Sequence, residues 1–119
     1  DHASPLVRRV DQLEWTDPQS GYRRRNVSPP HVRSPLQIVE IDFPAGAKVS
    51  YAAGLRAVGV HQQVWMLEGT MEILFDGQHH RLGAGDCLAM EENQHIVFQN
   101  TSKRPARYAV VISTAFLNP

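Results

Sequence analysis

A single cysteine, Cys87, stands among 119 residues, so no internal disulfide can form. That usage fits a reducing, cytoplasmic setting. No apolar run approaches the roughly 18–20 residues of a membrane-spanning helix, and no signal peptide is legible, so no membrane partner is expected. Charge of one sign is missing too: twelve Lys and Arg cancel twelve Asp and Glu. The chain itself therefore lacks the electrostatic footprint that nucleic acid binding requires. Apolar residues nowhere recur at helical spacing over a useful length. There is no G-x-S-x-G and no phosphate-binding loop. An initiating methionine is also lacking, since the chain opens DHASPLVRR, and the expectation is that it is a piece of something longer.

What is present is strand after strand. A chain of this length makes one domain that buries roughly two-thirds of its unfolded surface, without help from metal or disulfide. In LQIVEIDFPAG, Val39, Ile41 and Phe43 share one face before Pro44 ends the run. QQVWMLEG follows, then TMEILFDGQ, in which Met71, Ile73 and Phe75 alternate up to an Asp-Gly turn at Asp76 and Gly77. HHRLGAGD leads into a glycine corner, and CLAM, HIVFQN and RYAVVIST supply three more strands. Short strands with turns every 8–12 residues indicate an all-β sandwich or small barrel. Residues 1–35 carry five prolines and read as an irregular arm with one edge strand near Tyr22–Asn26; residues 36–119 read as the barrel.

The stretch VWMLEGTMEILFDGQHHRLGAGDCLAM resembles the first motif of the cupins, and HIVFQNTSKRPARYAVVIST resembles their second. Gly69 and Gly85 suit tight corners, Asp86 can accept backbone N–H groups there, and Asn100 turns the chain. The wider pattern GYRRRNVSPP … VWMLEGTMEI … RLGAGDCLAM … RPARYAVV is similar to the C-terminal sensor domains of bacterial XRE-type helix-turn-helix regulators. The resemblance implies a cupin jelly-roll barrel (a double-stranded β-helix), with DNA contacted only through a helix-turn-helix domain absent from this chain.

Metal-dependent cupins place two His at i, i+2, a Glu after them on the same strand face, and a third His across the barrel. Counting back from Gly69, the Glu position falls on Gln62. The two His positions fall on Arg56 and Val58, or on Leu55 and Ala57. Of the family's ligands only His95 survives. A rearranged site would have to use His61, Gln63 and His95, but His61 and Gln63 point away from the Gln62 face, and an amide is a weak ligand. The expectation is no catalytic metal and no cofactor; if a metal binds at all, His61 and His95 hold it. His79 and His80 are adjacent, so they face opposite ways. His2 and His31 fall in the arm.

Other residues carry less chemistry. Cys87 reads as core packing, and Glu91-Glu92 as a charged loop. In GYRRRN, Arg23 and Arg25 share one strand face while Tyr22 and Arg24 share the other. Arg23 and Arg25 suit a solvated edge strand; Arg24 is the candidate for a ligand carboxylate at the barrel mouth. The predicted pocket is Arg24, Gln62, Val64, Met66, Met90, His95 and Phe98, a mostly apolar cavity with few polar groups to orient a ligand. Trp65 and Leu67 lie on the opposite face, either as a dimer surface or beneath the arm.

These observations point to a small-molecule-sensing domain of a bacterial transcriptional regulator. It would not be an enzyme, would form a homodimer and would answer to an unidentified effector. The alternative is a stand-alone metal-dependent cupin isomerase or dioxygenase with an atypical site at His61 and His95. A third possibility is a fold kept for dimerisation alone.

Overall fold

The alternation of apolar and polar residues decides which side chains are inside. A computed structural model of the chain describes residues 4–51, 61–91 and 95–113. Among these, one short 3-10 turn (Arg9–Asp11) precedes ten strands: β1 (Glu14–Thr16), β2 (Arg23–Asn26), β3 (Leu36–Phe43), β4 (Lys48–Tyr51), β5 (His61–Glu68), β6 (Met71–Phe75), β7 (Gln78–Leu82), β8 (Cys87–Glu91), β9 (Ile96–Gln99) and β10 (Ala106–Ser113). They form two antiparallel sheets, one in the order β1-β2-β3-β10-β5-β8 and the other β4-β9-β6-β7. This is the all-β jelly roll anticipated from the sequence.

The core lies between the sheets. Val39, Ile41 and Phe43 from β3, Val64 and Met66 from β5, and Tyr108 and Val110 from β10 face Met71, Ile73, Ile96 and Phe98 of the smaller sheet. All are at least 93% buried, and removing one such side chain costs about 2–5 kcal/mol.

Turn chemistry fixes the corners. Asp76 and Gly77 both have positive φ, 57° and 73°, the geometry that joins two strands without splaying them. At Gly69, φ is 80° and an added Cβ would stand 2.9 Å from the Pro105 carbonyl oxygen, so no side chain fits without moving backbone. Asp86 accepts the Gly83 amide at 2.8 Å. Asn100, fully buried, donates to the carbonyls of Phe43 (3.3 Å) and Arg104 (2.8 Å) and accepts from the amide and hydroxyl of Ser102. One amide thus ties the end of β3 to the loop that follows β9.

The arm is more ordered than one edge strand. Its strands β1 and β2 form a hairpin, and β1, not the Arg-rich strand, takes the edge. Asp17 closes the turn by accepting the Ser20 amide (3.0 Å) and hydroxyl (2.6 Å), and those bonds hold its carboxyl below the usual range. The proline-rich composition hid this pairing, because Pro18 sits in the turn and spares the strands.

On the outer face of the larger sheet, ion pairs cross four strands. Arg25 pairs with Glu40, and Glu40 also accepts Arg107 Nη1 at 2.6 Å. Arg107 Nε reaches Glu68 at 3.2 Å, and Arg23 pairs with Asp42 at 3.2 Å. Gln12 accepts Arg25 Nε at 2.9 Å. Arg25 is therefore not the solvated charge that sequence reading assigned to it: its side chain is 11% exposed. The reason is that β1 continues the sheet beyond it.

Inside, five rings form a closed circuit. Tyr22 stacks on Phe43 (6.0 Å between centroids), Phe43 touches Tyr108 (6.4 Å), Tyr108 stacks on Phe98 (6.0 Å) and Phe98 meets Tyr51 edge-on (5.8 Å). The Tyr22 and Tyr51 hydroxyls, 3.4 Å apart, complete it across the seam between the sheets. Burial, with the nearby Tyr51 and Tyr22 phenols, pushes the Tyr108 hydroxyl well above its ordinary pKa.

Two outcomes are expected. Glu40→Ala leaves buried Arg25 without its carboxylate and lowers the unfolding free energy by about 3 kcal/mol, measurable in urea. Tyr108 stays protonated in the folded chain at a pH where an unfolded tyrosine has begun to ionise. Stability is therefore unaffected below about pH 10 and falls as pH rises above it. In Tyr108→Phe, thermal melts from pH 8 to 11 should show a shallower alkaline decline.

Candidate ligand site in the barrel

Strand β5 sets the interior. Its residues alternate strictly, with Gln62, Val64 and Met66 buried and His61, Gln63 and Trp65 exposed. Gln62 lies in register with Ile112 of β10 and Met90 of β8, so a neutral amide sits in an apolar wall. Val64, Met66, Met90 and Phe98 are all core residues. Met90 and Val64 lie nearest Gln62 on this wall, whereas Met66 is four residues along β5 and Phe98, stacked on Tyr108, lies at the Met66 end.

Arg24 is on the interior-facing side of its strand, opposite Ile41, and is half-buried. The register runs from Arg24 through Ile41 and Tyr108 to Met66, four residues short of Gln62. That is roughly 13 Å along the strands and a further ~14 Å across three strand spacings. The structure therefore does not bring Arg24 and Gln62 to one ligand-sized point. His95 immediately precedes β9 and is exposed, while Ile96 and Phe98 take the inward positions.

His61 is exposed on the face opposite Gln62. Leu55, Arg56, Ala57 and Val58 lie outside the described residues. Among the described residues no three His, Cys, Asp or Glu side chains come together in a set that could hold a metal ion. At the position where the family's carboxylate ligand would stand, Gln62 brings no charge. The donors described here do not fit the metal that the fold implies.

Other expectations need correction. Cys87 is exposed on the outer face, because Leu88 and Met90 claim the inward positions of β8; it is not core packing. Its Sγ lies 3.7 Å from Gln63 Oε1. Glu91 is the last residue of β8 rather than part of a loop, and Glu92 lies outside the described residues. Trp65 is 50% exposed, so the arm does not cover it. His79 and His80 do face opposite ways: His79 bonds Glu72 at 2.8 Å, and His80 is half-buried opposite Ile73. That bond and the Thr101 hydroxyl hold the Glu72 carboxyl below its usual range, the hydroxyl having the larger effect.

Sequence reading missed Trp15, Tyr51 and His80 as interior-facing or seam residues. For Tyr51 a signal existed: in KVSY, Val49 and Tyr51 alternate with Lys48 and Ser50. Four residues make a weak signal beside the long strands.

Residues 59–112 match the family model of the cupin domain, Cupin_2. No curated protein matches the chain. Among solved structures, the cupin domain of an XRE family transcriptional regulator from Enterobacter cloacae superposes with a TM-score of 0.73 at 18% identity, over 82% of this chain and all of that one. An HTH_3 family transcriptional regulator from Vibrio cholerae gives 0.72 at 21%, over 83% of this chain, which spans only 55% of that protein. The polyketide cyclase RemF from Streptomyces resistomycificus gives 0.70 at 16%, over 95% of this chain and 86% of that one. Identities this low establish a shared fold, and regulators and enzymes both share it. Residues 59–112 thus match the cupin domain model, and the two sheets have the jelly-roll fold of the cupins.

Proposed function

We propose that this cupin domain senses a small molecule and passes its occupancy to a DNA-binding domain outside the chain. The observation that carries the reading is Gln62: a buried amide at the position where the metal-dependent members place a carboxylate, set among Val64, Met90 and Ile112. An amide orients a ligand by hydrogen bonding but is a poor partner for a transition metal. The shared fold of the Enterobacter cloacae regulator domain supports the same reading.

The mechanism is population shift. A ligand favours one arrangement of barrel or dimer only by its differential affinity for the two. Homodimerisation belongs to this proposal. Trp65 stands half-exposed on the outer face of the larger sheet, and Ile38 and Val111 pair on the same face. DNA is reached only through the other domain, so the reading expects a helical DNA-binding segment encoded upstream of Asp1.

The test is a thermal-shift screen of organic acids, sugar derivatives and amines, with metal analysis of protein grown with iron, manganese, nickel and zinc. A compound present at a hundred times its Kd adds about 2.7 kcal/mol of stability. At least one should raise the melting temperature, and Gln62→Leu should reduce that rise. Near-stoichiometric metal surviving dialysis, and lost in His95→Ala together with turnover, would replace this reading with the metal-dependent enzyme.

A further inference from the structure

Arg24 differs from the other arginines of the larger sheet. Arg23, Arg25 and Arg107 all pair with carboxylates on the outer face. Arg24, half-buried on the other face, makes no hydrogen bond, ion pair or ring contact among the described residues. A partly desolvated guanidinium without a counter-charge is costly, and its planar fork matches a carboxylate with two parallel hydrogen bonds.

Its neighbours are aromatic. Trp15 is its direct partner across the β1–β2 hairpin and points to the same side. Their Cβ atoms are thus about 5 Å apart. The hairpin extends the sheet beyond the barrel, so Trp15 faces the interior side yet remains 53% exposed. Tyr22, two residues before Arg24 and on its face, meets Trp15 edge-on at 5.8 Å. The Tyr22 hydroxyl, 3.4 Å from that of Tyr51, marks where this overhang meets the β4 edge.

We infer that the underside of the β1–β2 hairpin is a binding site for a small carboxylate carried on a ring, with Arg24 on the carboxylate, Trp15 against the ring and the Tyr22 hydroxyl at its edge. A single guanidinium balances a single negative charge, so a monocarboxylate fits better than a dianion. An amine would be repelled. This inference rests on the sensing proposal for its purpose. It names the chemical class of a ligand held at the seam, at a point separate from Gln62.

Tryptophan fluorescence and thermal shift with benzoate, indole-3-acetate and uncharged benzyl alcohol test it. Both acids should bind and perturb Trp15, with the signal lost in Trp15→Phe. Benzyl alcohol should bind at least tenfold more weakly. Arg24→Gln should weaken the acids at least tenfold and Arg24→Lys less. Arg23→Gln, on the outer face, should leave binding unchanged. Circular dichroism confirms that each variant is folded, and Arg24→Lys serves if Arg24→Gln is not. Equal binding of acid and alcohol, or acid binding unaltered in the Arg24 variants, overturns the inference. If other compounds of the screen raise the melting temperature while these acids do not, the inference falls and the sensing proposal stands. If no compound does, both fall.

Discussion

Glu40 has two carboxylate oxygens and gives one to each side of its strand. Arg25 reaches it from β2 and Arg107 from β10, and Arg107 extends the chain of charges to Glu68 on β5. Both members of the Arg25–Glu40 pair are nearly buried. Charges so placed persist only when paired and hydrogen-bonded, so the pair tolerates little displacement. A one-residue slip of β2 would turn Arg25 inward and Arg24 outward. The position of Arg24 on the inner face is therefore a consequence of where Glu40 stands. The outer ion pairs thus fix which side chain the inner face presents at this point of β2.

The two sheets are joined in different ways at different places. At one corner Asn100 gathers the carbonyls of Phe43 and Arg104 and the amide of Ser102. Along the seam, the aromatic circuit from Tyr22 to Tyr51 joins the sheets through ring faces and one hydroxyl contact. At the Gln62 end the wall is aliphatic and thioether, with the amide as its polar element on β5.

Much of this was legible in the sequence, because long half-buried strands write their orientation in a period of two. LQIVEIDF and HQQVWMLE predicted the inward set of β3 and β5, including Gln62 and the outward turn of His61 and Trp65. The same alternation placed Glu40 and Asp42 outside, opposite Arg23 and Arg25, although the ion pairs became visible only once β2 and β3 were known to be neighbours. Cys87 was misread because a small apolar residue at a strand start carries no sign of its side until Leu88 and Met90 claim the interior. The distance between Arg24 and Gln62 was beyond sequence reading altogether. It depends on the register of β2, β3, β10 and β5, which pair across long separations in the chain.

That strand order bears on how the molecule is made. Strand β10 lies between β3 and β5, near the centre of the larger sheet, yet among the described residues it is the last strand in the sequence. During synthesis β3 and β5 must wait with open edges for the segment that joins them. Until residues 106–113 emerge, Glu40 lacks Arg107, and the Phe43 and Phe98 rings lack the Tyr108 ring between them. Completion of the larger sheet is thereby deferred until residues 106–113 have been made, and the waiting edges are what a ribosome-bound chaperone would need to shield.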